Sequence, residues 1–572
     1  MSSTDTFVFP LSLAQQGLWL SAQIDPRSAD YNIPQRSSIR GPLNVAALRQ
    51  AIETIVSRHE ALRTSFPLRG GRPVQAVASV TPVPFDTIDL RAVVDSAAQA
   101  ERLALREARQ PFDITAGPLL RVTLLRLADR YHHLLLVAHH LVADGWSMDV
   151  LLHELSALYG AYAGGHPSPL PDLPIQYADF AHWQREQLDG PALQAEVDFW
   201  KHTLAGAPMA LDLPTDRPRP SVPTFDGAQH SLILPTRLTD QVKALSEREG
   251  CTLYVTLLAA FQALLGRYTG WPDLLIGTLM ANRPRPETAS LIGLFTNLVV
   301  VRANLAGNPS FRELMLRART AALDSHAHQG LPFEKLVEEI QPPRSPSRHP
   351  LVEVVFALQR STTCTLEGLE VEVETLANGA SKFDLTMTAV LGSASLTAIL
   401  TYNPALFDAA TAARIGRDYQ HLLEHVVSDP GRRLRELHGG IDQRSCPVAP
   451  APGLSGPVDL EVPVDFVAPQ TPLERAVADV WRSVLQADEI GVHDNFFDLG
   501  GHSLLMIEVQ RRLVELVQRE VPVVELFKYP TVAMLVRYLS EGDDGTPSIE
   551  HHRNRARLRG DRLAHQYDRR QA

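Results

Sequence analysis

The stretch Leu134–Leu155, LLLVAHHLVADGWSMDVLLHEL, decides how the chain folds. A run of apolar residues ends in two adjacent histidines, His139 and His140. Asp144 and Gly145 follow, and then apolar residues return at helical spacing. Read from Leu119 to His140, the segment predicts two buried strands joined by the polar turn LADRYH. Beyond it, DGWSMDVLLHELSALYGAYAG predicts a helix entered at Asp144–Ser147, where Asp and Ser side chains accept bonds from free N–H groups. HHLVADG is therefore a strand–loop–helix junction. A rigid scaffold aims the side chains of such a junction while its loop leaves room for a substrate. Imidazole is uncharged near neutrality yet takes a proton readily, which suits general-base work. Successive strand residues face opposite ways, so the pair is not expected to share a metal ion. One histidine should face the core and the other an opening. Asp144 is a candidate partner for an arginine or an imidazole. Gly145 reads as a position whose backbone angle a Cβ would obstruct.

Working outward, LNVAALRQAIETIVSRHEALRTSF (Leu43–Phe66) starts with helical spacing and turns strand-like. LYVTLLAAFQALLGRYTG (Leu253–Gly270) predicts a helix that stops at glycine. DLLIGTLMANRP, NLVVVRANL and LVEVVFALQ predict further strands, enough for two sheets. The block up to about residue 440 is thus mixed α/β and too long for one core, so two lobes are expected. Ser445–Phe466, SCPVAPAPGLSGPVDLEVPVDF, is rich in Pro and Gly and reads as an extended linker to a small second block. The Arg-rich terminus HHRNRARLRGDRLAHQYDRRQA has little to bury and reads as a disordered tail.

The 572 residues carry a net charge of -11, which attracts neither nucleic acid nor an anionic membrane. Three widely spaced cysteines point to a reducing cytoplasm and share no metal-ligand spacing. The opening MSSTDTFVFPLSLAQQ has no basic region followed by an apolar run, so no signal peptide is expected. No apolar run is long enough to span a bilayer.

HHLVADG resembles the HHxxxDG signature of the condensation domains of nonribosomal peptide synthetases. Other family blocks stand in chain order: LSLAQQGLWL (Leu11–Leu20), RHEALRTSF (Arg58–Phe66), YADFAHW (Tyr177–Trp183), IGLFTNLVVVR (Ile292–Arg302), HQGLPFEKLVEEI (His328–Ile340) and RSPSRHPLVEVVF (Arg344–Phe356). LPTDRPRP, ANRPRP and KFDLT are further strings of that kind. The resemblance covers roughly residues 7–435. It implies an α/β fold of two chloramphenicol-acetyltransferase-like lobes, 1–180 and 181–440, that form a V with the active site in a tunnel between them. His140 is then the active-site residue, with His139 in support. Asp144 points away and pairs with an arginine, and Arg63 in ALRTSF occupies the matching place. Gly145 lies beside the reacting carbonyl, which its N–H helps to polarise. His140 acts either as a base or as a group that holds the amine.

DNFFDLGGHSLLMIEVQRRLVEL (Asp494–Leu516) sets a serine at the head of an amphipathic run, where a serine commonly only caps a helix. LGGHSL, however, resembles the attachment motif of peptidyl carrier proteins. The resemblance implies a small C-terminal four-helix bundle at 466–541, between a linker (441–465) and the tail (542–572). Its helices are TPLERAVADVWRSVL, the run from Ser503, PVVELF and TVAMLVRYL. Ser503 would carry 4'-phosphopantetheine, with Asp498 and His502 part of the motif, and no metal is called for. No adenylation motif stands between the blocks. The implied partners are a stand-alone adenylation enzyme loading Ser503, an upstream donor carrier protein, a phosphopantetheinyl transferase, and a downstream module or release enzyme. Amide formation on the chain's own carrier is the leading reading. The alternatives are ester formation or condensation with a soluble or in-trans acceptor, an epimerase, and a non-catalytic carrier or docking protein.

Overall fold

The computed structural model describes residues 6–188, 190–221, 224–283, 285–343, 347–437, 466–496, 499, 503–519, 521, 525–526 and 529–540. The chain divides into two compact units, Met1–Val458 and Asp459–Ala572. The expected linker and tail lie outside the described residues.

In the first unit, the strands Leu120–Ala128 and Tyr131–His139 form the expected hairpin, with a register shift between Arg126 and Ala128. Leu134 to Ala138 are all buried, so this strand faces protein on both sides. It is central in a five-stranded sheet ordered Glu370–Thr375, Asn32–Arg40, Tyr131–His139, Leu120–Ala128, Phe85–Asp89. Asn32 pairs with His139, so the register brings Tyr31 to the end of the histidine strand. The helix Gly145–Ala163 follows directly. Asp144 caps it by accepting the Ser147 N–H at 2.8 Å.

A six-stranded sheet carries the second half, in the order Asn297–Asn304, Asp273–Met280, Val354–Arg360, Leu385–Leu391, Leu396–Tyr402, Ala228–Ile233. Against it packs the helix Leu253–Thr269, apolar nearly all round and ended by Gly270 at φ +73°. A left-handed φ favours glycine there, as the sequence indicates.

Residue 180, the expected boundary between the halves, falls inside the helix Tyr177–Gln187. Moreover, the strand Glu370–Thr375, far along the second half, pairs antiparallel with Asn32–Arg40 and completes the sheet of the first. Its sequence EVEVET alternates like a strand covering an edge. Partner choice over such a separation leaves no periodic signal.

The second unit contains the helices Pro472–Leu485, Ser503–Val517 and Val532–Ser540. Thr471 caps the first in a reciprocal pair with Glu474. Val477, Trp481, Phe496, Val509, Leu513 and Leu535 form the core, with the rings of Trp481 and Phe496 5.0 Å apart. Most of the expected PVVELF helix lies outside the described residues. Among the described residues no single helix is long and apolar enough to cross a membrane.

Candidate functional site

His139 ends the central strand and His140 is the first residue past it. The N–H of His139 donates to the Leu119 carbonyl at 2.9 Å, and that of His140 to the Tyr31 carbonyl at 2.8 Å. Neighbouring strands thereby fix both backbones. His139 is buried, and its Nδ1 accepts the Leu141 N–H at 3.1 Å, so the ring is unprotonated at that nitrogen. Burial, aided by Lys382 and Arg121, lowers its pKa to about 3. His140 is half-buried. Its pKa also falls well below the ordinary imidazole range, through burial first and then the charges of Lys382 and His139. Both rings are therefore neutral at pH 7. Tyr31 stands beside both, with centroids 6.4 Å from His139 and 6.5 Å from His140.

Asp144 is fully buried and joins the two halves. Its Oδ1 accepts the N–H and hydroxyl of Ser147, at 2.8 and 2.6 Å. Its Oδ2 accepts the N–H groups of Phe295 and Thr296, both at 3.0 Å. Arg283, from ANRPRP, supplies the countercharge at 3.2 Å. The Arg283 guanidinium also donates to the carbonyls of Leu291 (2.9 Å) and Thr288 and lies 4.0 Å over the Phe295 ring. Burial lowers its pKa, against the pull of Asp144.

The expected Asp144–Arg63 pair is thus not formed. Arg63 donates to the Ala78 carbonyl and, at 3.2 Å, to Glu60. It belongs to the 3-10 turn Glu60–Arg63, which feeds the small sheet containing Arg72–Ala78. Asp144 faces the loop of the second half instead. Gly145 also departs from expectation. Its φ lies outside the left-handed range, and an added Cβ would meet nothing within 4 Å. The space beside it is open. Its N–H, first in the helix, donates to no described residue.

Beside the histidines lies a cavity of about 700 Å³ with walls from both halves: residues 21–26, Asp30, Tyr31, Phe112 and His139 on one side, Phe225, His349, Lys382 and Phe383 on the other. His139 lines it. His140 is not among its lining residues, although its ring meets the edge of Tyr31, which is. Sequence reasoning assigned no role to Tyr31, Arg283 or Lys382. ANRPRP and KFDLT were visible as motifs, but nothing local says what an arginine or lysine in them will meet. Ser503 opens its helix in the second unit, as expected. Asp498 and His502 lie outside the described residues. Among the described residues no group of three or more His, Cys, Asp or Glu could hold a metal ion.

The neutral imidazoles make stability depend on pH. Burial lowers His133 to about 4 and His349 to about 4, besides His139 and His140. The unfolded chain takes these protons as pH falls through about 6.5, whereas the folded chain refuses them until much lower pH. Their contribution is complete above about pH 6.5 and is lost as pH falls towards 3–4, at about 1.4 kcal/mol per pH unit per ring. Glu334 works the opposite way, since burial pushes it up to about 7. Urea midpoints should therefore be lower near pH 5 than near pH 7.5, and His133→Gln should shrink the difference. Equal drops in variant and wild type would contradict this account.

Comparison with known proteins identifies the family of both units. The family model described as Condensation domain matches residues 6–440, and that described as Phosphopantetheine attachment site matches 475–539. One of the linear gramicidin synthase proteins of Brevibacillus parabrevis is 45% identical over 434 residues, covering 75% of this chain and 8% of that protein. Phosphinothricin tripeptide synthetase PhsC of Streptomyces viridochromogenes is 41% identical, over 75% of this chain and 40% of that protein. The chain thus spans less than half the length of either relative. Among solved structures, the X-domain from teicoplanin biosynthesis superposes with a TM-score of 0.68 at 30% identity, covering 75% of this chain and 97% of that one. The first condensation domain of the calcium-dependent antibiotic synthetase shares the fold, with a TM-score of 0.66 at 21% identity over 75% of this chain and 98% of that one.

Proposed function

Since the chain belongs to the condensation-domain family of nonribosomal peptide synthetases and continues into a phosphopantetheine attachment domain, we propose that it forms an amide bond on its own carrier. The donor is an acyl, aminoacyl or peptidyl thioester brought on another carrier protein. The acceptor is the amine of an amino acid held at Ser503. One observation supports the reading: a neutral, half-buried imidazole, His140, follows directly on His139, which lines a cavity walled by both halves, and meets the ring of Tyr31 on the same wall.

The residues present suit the attached group. Ser503 heads a fifteen-residue helix, whose free N–H groups and positive dipole end favour a phosphate. When attached, 4'-phosphopantetheine supplies a long arm ending in a thiol that carries the amino acid as a thioester. Amide formation from a thioester is downhill, so proximity provides much of the acceleration. His140 either accepts the amine proton or orients the amine. The Gly145 N–H, free among the described residues, is placed to polarise a carbonyl brought beside it. Asp144, held by Arg283 and Ser147, positions the junction and takes no part in the bond changes. The amino acid is loaded in trans by a stand-alone adenylation enzyme, after a phosphopantetheinyl transferase has modified Ser503. A downstream module or release enzyme takes the product.

The test is mass spectrometry of the carrier, with a phosphopantetheinyl transferase, a loading enzyme and a loaded donor carrier supplied. Wild type should gain the arm, then the amino acid, then the mass of the donor acyl group. Ser503→Ala should gain none of these. An arm that stays at the amino-acid mass would overturn the proposal. A docking role is the second reading. It is favoured by the 31% identity, over 76% of this chain, to an X-domain solved in complex with OxyB, and it predicts that unextended outcome.

A further inference from the structure

Lys382 has no place in the reaction described so far, yet its setting is unusual. It belongs to KFDLT, just before the strand Leu385–Leu391 of the second half. From there its Nζ reaches the first half and lies 3.9 Å from the centroid of the Tyr31 ring. Among the described residues no carboxylate lies within ion-pair distance of it, and it makes no hydrogen bond. The connection behind it is held down: Asn378 Nδ2 donates to the Asn32 carbonyl at 3.1 Å, and the Ser381 N–H to the Phe225 carbonyl at 2.8 Å. A flexible, strongly hydrated cation is normally left in water. Here it is delivered over an aromatic face on the wall of the cavity that His139 also lines.

We propose that Lys382 is a positioning residue for the condensation: its ammonium, carried across the seam between the halves onto Tyr31, sets the charge of the compartment beside His139 and His140 and admits the acceptor nitrogen there as a free amine. This deepens the function proposed above and rests on it. An amino acid held as a thioester arrives in water largely as its ammonium, which has no lone pair with which to attack. A fixed positive charge at a partly buried wall raises the cost of a second one beside it. The ammonium proton therefore leaves to solvent before the nitrogen settles beside His140, and nitrogen then attacks the thioester carbonyl. The carbon–sulfur bond breaks, the departing sulfur leaves as thiolate, and one proton lost from nitrogen balances the one that thiolate takes up.

The surrounding charges agree. Lys382 lowers both imidazoles, as the largest charge acting on each. Arg121 adds to the effect on His139. Asp30, in the turn before Asn32–Arg40, is the acid facing Lys382, and Asp25 and Asp226 face Asp30 in turn. Glu334 faces Tyr31 from the helix Phe333–Ile340, and Asp384 faces His349. Burial brings Lys382 itself down to about 8, so it is charged at pH 7.

The experiment is an NMR titration of the imidazoles in the full chain labelled at histidine, for wild type, Lys382→Met and Lys382→Arg. In Lys382→Met, His139 and His140 should titrate higher by about one pH unit, while Lys382→Arg stays at wild-type values. His133, on which Lys382 does not act, is the internal control for an intact fold. Unmoved His139 and His140 in a folded Lys382→Met chain would overturn the proposal. If that variant does not fold, Lys382→Gln, which keeps a polar end and removes the charge, serves instead with the same expected rise in both imidazoles; no movement would overturn the proposal equally. With loaded carriers, the acid limb of kcat should move up by about one pH unit in Lys382→Met and return in Lys382→Arg. A merely structural role would lower kcat at every pH and leave the limb in place, and that result would also overturn it. Failure of wild type to condense would sink the proposed function and leave the imidazole titration standing.

Discussion

Asp144→Ala is expected to cost about 3–5 kcal/mol of folding stability, more than the loss of any exposed ion pair in the chain. The carboxylate is fully buried and accepts from Ser147, Phe295, Thr296 and Arg283 together. Alanine leaves the Arg283 guanidinium buried without its countercharge and leaves three backbone N–H groups, those of Ser147, Phe295 and Thr296, unpaired. Urea unfolding should show a much lower midpoint with little change in slope. The double variant Asp144→Ala/Arg283→Met should be more stable than Asp144→Ala alone, since it removes the orphaned charge. An Asp144→Ala midpoint within about 1 kcal/mol of wild type would show that the halves are joined elsewhere.

His140→Ala should cut the rate of donor transfer to the Ser503 arm by about 10²–10⁴-fold while leaving the urea midpoint close to that of wild type. The ring is half-exposed, and what fixes the residue is its backbone N–H to the Tyr31 carbonyl, which alanine keeps. His139→Ala should behave in the opposite way. That ring is buried and accepts the Leu141 N–H, so stability should fall by about 1–3 kcal/mol, with a smaller direct effect on rate. Single-turnover transfer read by mass spectrometry, beside urea midpoints, separates the two. Equal rate losses in both variants would mean that the pair acts as one unit. An unaffected His140→Ala rate would leave proximity as the whole of the catalysis.

What the sequence made legible is what local physics encodes. The strand ending at His139 and the helix beginning at Gly145 follow from an apolar run and a helical period. The Asp144 cap follows from chemistry three residues long. Ser503 at a helix head was equally readable. What was not readable lies in contacts between distant segments. Arg63 was the arginine at hand in a neighbouring motif, whereas the one that reaches Asp144 is Arg283, 139 residues away in the chain. Tyr31 and Lys382 meet where the pairing of Glu370–Thr375 with Asn32–Arg40 and the bond from Asn378 to the Asn32 carbonyl hold distant segments together. Gly145 was misread because glycine suggests steric need, while the structure offers open space.

The strand Glu370–Thr375 bears on how such a chain can be recombined. A chimera cut near residue 180, pairing the first half of one protein with the second half of another, does more than join two blocks at a hinge. It supplies the edge of one sheet from a foreign sequence, in register from Arg40 opposite Glu370 to Gln35 opposite Thr375. The same foreign segment brings the residue that rests on Tyr31. Crossover points that keep 370–382 with the first half would preserve both the hydrogen-bonded edge and the lysine, at the cost of two further junctions. The wall beside His139 is discontinuous in the chain, although it is continuous in space.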